Sequence, residues 1–256
     1  MEETQYQIRK AEEREALPAI DLLPSISHQG RQLDMALFGP NNYRKNVAHM
    51  QKRHFHSQQL PDITFTPATT AESISAVAYN FADFAKPQIF DSRWLQAGRI
   101  IRAQEGVFVN PLNDSQGNPI TDEKTLKSLL KADRKVNGIY LLNNDSGFAP
   151  YDSFTRGLQD CDTFVQGGLA RVLVHTPEEE AKLLRAIASP EFYKRGVNVW
   201  GFEPVKEPAL RVVSLNSDRS LDDGRLSVDG NYWDYYNDGY AFGVLNRSAE
   251  GASPKK

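Results

Sequence analysis

The sequence carries one cysteine, Cys161, in 256 residues. A single thiol cannot close an intramolecular disulfide, and a four-cysteine zinc site cannot be assembled around it. Long apolar runs are also missing. Nothing approaches the roughly 20 consecutive apolar residues that cross a bilayer, and Met1 to Arg14 is rich in Glu, Gln, Arg and Lys where a signal peptide is apolar. A soluble, cytoplasmic protein without membrane contact is expected. Charge of one sign is not in excess: Lys and Arg total 30, Asp and Glu 33, for a formal net charge of -3. That balance excludes a basic nucleic-acid coat or an acidic tail, and bulk charge selects no partner.

Several catalytic spacings are absent too. There is no Gly-x-x-x-x-Gly-Lys, no Gly-x-Gly-x-x-Gly after a strand, no Gly-x-Ser-x-Gly and no His-Glu-x-x-His. Phosphate-loop, dinucleotide, serine-elbow and zinc-protease chemistries therefore lose their support, and no cofactor is expected.

What is present is enough apolar material for a core, 40% of residues with 10% aromatic. Glu2 to Leu17 reads as a solvated helix or a frayed end, and Pro18, Pro24 and Gly39-Pro40-Asn41-Asn42 break the next stretch into short helices and turns. Thr69-Thr70-Ala71-Glu72 is a capping box that opens an amphipathic helix, with Ile74, Val77, Ala78 and Phe81 at helical spacing as far as Lys86-Pro87. Ile100-Ile101 and Val107-Phe108-Val109 suggest a hairpin across Glu105-Gly106. Thr121 is positioned to cap a helix bearing Leu126, Leu129 and Leu130, and Ile139 to Leu142 reads as a strand. A helix is expected from Cys161 to Leu173 through Gly167-Gly168, two glycines that suit close passage of another backbone. Thr176-Pro177-Glu178-Glu179 predicts a further helix start. Strands follow at Val197–Trp200, Leu210–Leu215, Leu226–Val228 and Tyr240–Leu245.

Strands and helices do not alternate regularly, so the fold class is α+β: a mixed, mainly antiparallel sheet with helices packed against it and a helical N-terminal region. The expected division is a helical arm or subdomain over 1–66, an α+β core domain over 67–247 and a flexible tail over 248–256.

Three windows carry candidate chemistry. Met35 to Pro61 contains Arg44, Lys45, Lys52 and Arg53 with no acidic residue, interleaved with Tyr43 and Phe55 and followed by His54 and His56. Positive charge beside aromatic rings suits phosphate contact with base stacking. The best reading is therefore a binding or scaffold protein that meets an anionic ligand or single-stranded nucleic acid through Tyr43, Arg44, Lys45, Lys52, Arg53, His54, Phe55 and His56; the competing reading is a solvated helix face. His49, His54 and His56 have no carboxylate nearby in sequence, and no metal is assigned to them.

Cys161 is the second candidate, a nucleophile at the start of a helix whose dipole favours thiolate. Asp160-Cys161 followed by Phe164-Val165-Gln166 resembles the nucleophile segment of papain-like cell-wall peptidases, which would imply a cysteine-dependent hydrolase. The small residue and glycine that follow the cysteine in that family are Asp162 and Thr163 here, and the histidine well downstream on a strand is missing. Asp160 and Asp162 oppose thiolate formation. The third window, Asp218 to Tyr240, combines six aspartates with Tyr232, Trp233, Tyr235, Tyr236 and Tyr240. It suits metal or carbohydrate binding, or a hairpin whose rings pack across strands. Leu245 stands where a calcium loop would need its bidentate Glu. No feature of the sequence fixes an oligomeric state.

Overall fold

Leu22–His28 (β1) and Arg31–Asn42 (β2) pair antiparallel around Gln29-Gly30, whose φ angles are both positive, 46° and 77°. Such a turn continues the twist of its strands. The structure is a computed structural model that describes residues 22–52, 64–82, 94–132, 135–143, 145–178, 181–218 and 224–246. Over residues 22–42 the hairpin corrects the expectation of short helices and turns. Gln-Gly is a weaker turn signal than Asn-Gly, and Pro24 hides the alternation; the strand absorbs it with a register shift between Leu23 and Ile26.

Tyr43–Met50 (α1) follows directly, and the Asn42 side chain caps it by accepting from the Lys45 N–H at 3.1 Å. After Thr64–Pro67 (β3), the capping box forms as expected. Thr69 N–H donates to Glu72 Oε2 at 2.9 Å, Glu72 N–H donates to Thr69 Oγ1 at 3.2 Å, and Thr70–Ala82 (α2) begins there. Trp94–Arg102 (β4) and Gly106–Val109 (β5) make the expected hairpin. Glu123–Ala132 (α3) is capped by Asp122, which accepts from the Thr125 N–H at 2.8 Å, so the cap lies one residue later than Thr121.

Lys135–Val136 (β6), Ile139–Leu141 (β7) and Gly147–Pro150 (β8) continue the sheet, and a 3₁₀ turn over Tyr151–Ser153 leads to Gly157–Gln159 (β9). The helix expected from Cys161 to Leu173 is two helices, Cys161–Gln166 (α4) and Gly168–Leu173 (α5), because Gly167 is extended at φ −71° and ψ 152°. The close neighbour at Gly168 is a side chain: a Cβ there would lie 2.1 Å from Ser153 Oγ. Thr176-Pro177 does not start a helix. The end of α5 holds that segment, with His175 N–H donating to Val172 O and Thr176 N–H to Arg171 O, the paired bonds of a Schellman cap. Lys182–Ile187 (α6) begins later. Val197–Trp200 (β10), Ala209–Asp218 (β11), Arg225–Tyr232 (β12) and Asp238–Asn246 (β13) complete the described elements.

The sheet runs β6-β7-β8-β5-β4-β11-β12-β10-β9, with β13 joining it at β4 and pairing β2 and β3. Neighbours along that path are antiparallel except β10 with β12, which confirms a mixed, mainly antiparallel α+β fold. Alternation along β4 feeds two layers. Ile100 joins the main core with Ile74, Val165 and Leu184, whereas Ile101 packs with Phe108, Phe148 and Leu126. A third cluster around Tyr43, Met50, Phe65 and Val212 seats α1. No helix among the described residues is long and apolar enough to cross a membrane. Residues 1–21, the start of the arm expected over 1–66, and 247–256, with the expected tail, lie outside the described ones.

Candidate ligand-binding face

The basic window and the Asp/Tyr-rich window meet in space. Arg44, in the first turn of α1, donates from its backbone N–H to the Asp234 carbonyl at 2.8 Å and from Nε to Asp234 Oδ2 at 2.9 Å. The same Oδ2 lies 3.7 Å from Arg99 Nη2 on β4. Asp234 is buried and anchors a turn between β12 and β13, which closes by donation from the Trp233 N–H to Asn237 Oδ1 at 2.9 Å.

A buried amide pair holds the far side of α1. Asn46 Nδ2 donates to Gln96 Oε1 and to the Gly239 carbonyl, both at 2.9 Å, and Gln96 Nε2 donates to the Asn237 carbonyl at 2.8 Å. Helix, turn and sheet are thus cross-linked by polar groups that would be costly to bury unpaired. Neither Asn46 nor Gln96 carries a sequence signal. They stand 50 positions apart as ordinary amides.

The consequence is a row of cations and rings. The Arg211 guanidinium lies 3.4 Å from the centre of the Trp233 ring and is steadied by Nη1 donating to the Leu210 carbonyl at 2.8 Å. Trp233 meets Tyr235 edge-on at 5.5 Å, and Arg44 lies 5.2 Å from the Tyr235 ring centre. Cation–ring contacts of this kind hold an arginine in place while leaving donors free for an anion. Burial and neighbouring Arg102 lower the Arg211 pKa, yet an arginine stays charged. Arg44 and Arg99 share one close carboxylate, Asp234, and Arg211 makes no ion pair among the described residues, so the face carries excess positive charge. Three rings of the turn stand exposed: Trp233 at 39%, Tyr235 at 51% and Tyr236 at 76%.

The residues singled out from sequence divide into three groups. Arg44, Lys45 and Lys52 are exposed on or just beyond α1. Tyr43 is buried, with Arg99 5.5 Å from its ring centre, and burial pushes its pKa up. It supports the face from below and offers no ring to a ligand. Arg53, His54, Phe55 and His56 lie outside the described residues. In the Asp-rich window, Asp234 faces arginines and Asp229 is buried, accepting from the Asn231 N–H at 2.7 Å. Among the described residues no three His, Cys, Asp or Glu side chains gather as metal ligands.

Cys161 follows its helix cap, where Asp160 Oδ1 accepts from the Thr163 N–H at 2.8 Å. Burial, Asp160 and Asp162 all raise its thiol pKa, the reverse of nucleophile activation. The cavity beside it, about 350 Å³, is lined by Gln159, Tyr193 and Lys194, with no histidine among its described lining residues. Iodoacetamide should therefore label Cys161 at least about tenfold more slowly in the native protein than in urea at pH 7.5. Equal rates would show an accessible thiol, and a faster native rate an activated one.

Compared with protein-family models, curated proteins and solved structures, the chain matches none.

Proposed function

We propose that the protein binds an anionic ligand bearing flat rings, with single-stranded nucleic acid as the class that fits best, through Arg44, Lys45, Arg99, Arg211 and the Trp233–Tyr236 turn. The supporting observation is the contiguous Arg211–Trp233–Tyr235–Arg44 row, beside which Tyr236 is 76% exposed. Guanidinium groups held over rings keep outward N–H donors for phosphate, and an exposed tyrosine offers a stacking face to any base. A local cationic face also reconciles such a ligand with a net charge of -3, because contact is made at the patch. In the sequence the basic run continues past α1 through Arg53 to His56.

The test is fluorescence anisotropy with labelled oligo(dT) and oligo(rU) over a salt series. Three or four phosphate contacts should give a log–log salt slope of roughly −2 to −3. Tyr236→Ala removes an exposed ring without disturbing the Asp234 cluster and should weaken binding about tenfold or more with an unchanged Tm. Arg211→Ala should weaken it further and flatten the salt slope by about one contact. Affinity for both oligonucleotides that is absent at low salt, or indifferent to both substitutions, would remove the proposal.

A further inference from the structure

A cavity of about 420 Å³ opens between the end of β1, the side of α2 and the link from α5 to α6, with His28, Ser75, Val174, His175 and Leu183 in its wall. It uses none of the residues of the arginine–ring face. His28 is 4% exposed and His175 is partly buried.

The tautomers of the two histidines follow from their partners. Ser75 donates its hydroxyl proton to the Ala71 carbonyl, one turn back, at 3.1 Å, and its oxygen lies 2.8 Å from His28 Nδ1. Both contacts are hydrogen bonds together only if that oxygen accepts from the ring, which places the hydrogen on His28 Nδ1 and the lone pair on Nε2. At His175, Nε2 lies 3.2 Å from the Ser146 carbonyl, an obligate acceptor. Here Nε2 carries the hydrogen and Nδ1 the lone pair. Different hydrogen bonds thus convert both imidazoles into acceptors, and neither remaining nitrogen has a hydrogen-bond partner among the described residues.

The backbone carries a cost that this arrangement explains. His175 takes φ +51° at the Schellman position that closes α5, where glycine is the least strained choice. A glycine would end the helix as well, but it would leave the cavity without its second imidazole.

Charge narrows the ligand class. Burial pushes both histidines down from their ordinary pKa and keeps them neutral at pH 7; positive charge on Arg31 reinforces this at His28, while Glu72 and Asp145 oppose it. Glu178 and Lys182 also line the cavity, one of each sign. An anion would meet two lone pairs, and among the described wall residues the one carboxylate, Glu178, is matched by one ammonium, Lys182. Among the described residues no third imidazole, thiolate or carboxylate completes a metal set. Hydroxyl groups are the donors that suit neutral imidazole acceptors, and Val174 and Leu183 give an apolar wall for the C–H face of a ring.

We propose that this cavity binds an uncharged polyhydroxylated ligand of monosaccharide size, whose hydroxyls donate to His28 Nε2 and His175 Nδ1. Because the ligand takes the neutral rings, its affinity falls as pH drops through their titration. The experiment is NMR of the full chain labelled at histidine Cε1, titrated with D-ribose, D-glucose and myo-inositol, and separately with ethanolamine, inorganic phosphate and Zn²⁺. The five histidine signals are assigned by substitution. At least one of the three polyols should shift the His28 and His175 signals together and saturably, leaving His49, His54 and His56 in place. His175→Gly, which suits the backbone and preserves the helix end, should weaken that polyol about tenfold as read at His28. Ser75→Ala keeps both rings, removes the bond that fixes the His28 tautomer, and should also weaken binding. The proposal is overturned if no polyol gives a saturable shift, if only ethanolamine, phosphate or Zn²⁺ moves the two signals, or if His175→Gly binds as the wild type does.

Discussion

Asp234→Ala is expected to destabilise the protein by about 3 kcal/mol, the lower end of the cost of removing one partner from a buried charge cluster. The carboxylate side chain is 3% exposed and faces two guanidinium groups, Arg44 at 2.9 Å and Arg99 at 3.7 Å. Without it, both cations lose their counter-charge. The cost stays at the lower end because the Arg44 side chain is 58% exposed and can return to water, whereas Arg99, at 28%, is more confined. The converse substitution should be much milder: Arg44→Ala is expected to cost about 1 kcal/mol, since it removes a mostly solvated partner and leaves Arg99 beside the carboxylate. Urea unfolding of the two variants checks the order. If Arg44→Ala proved the more damaging, Asp234 would not be what organises the turn, and the cation–ring row would need another support.

The same cluster shows where sequence reasoning stops. Local chemistry was legible where neighbours in the chain decide the outcome. The Thr69–Glu72 box starts α2, and the apolar runs around Glu105-Gly106 form the β4–β5 hairpin. It failed where a residue's duty is set from elsewhere. Thr176-Pro177 has every mark of a helix start, yet the Thr176 N–H is engaged by Arg171 at the end of the preceding helix. Gln29-Gly30 turns a hairpin that Pro24 disguises. The basic and the aromatic windows each stood out by composition, but the contact that joins them spans 190 positions. Tyr43 illustrates the cost of reading type without burial: beside a run of cations it suggests stacking on a ligand, and it is a core residue beneath Arg99. The His28 ring is held by Ser75, 47 positions away, which no local pattern in the sequence announces.

A pH dependence is built into β12. Asp229 is 1% exposed, and burial pushes its pKa from 3.8 up to about 6, with Glu203 adding to the rise while the Asn231 N–H and Arg102 oppose it. The folded protein therefore holds the Asp229 proton more tightly than the unfolded chain does. Its contribution is fully present below about pH 3.8, is lost as pH rises towards 6, and leaves a constant penalty above that. The gap between the two values corresponds to about 3 kcal/mol. Asn resembles the protonated acid in shape and can still accept from the Asn231 N–H, which donates to Asp229 Oδ1 at 2.7 Å. Its Nδ2 donor takes the place of the acid proton that the site already accommodates. Asp229→Asn should accordingly leave stability unchanged near pH 4 and raise it by up to about 3 kcal/mol at pH 7.5. Comparing urea midpoints of the two proteins across that range cancels every other titrating group common to both. A difference that stays flat with pH, or a variant less stable than wild type at pH 7.5, would mean that Arg102, whose Nη1 donates to Asn231 Oδ1 at 2.9 Å, compensates the charge through that side chain despite its burial.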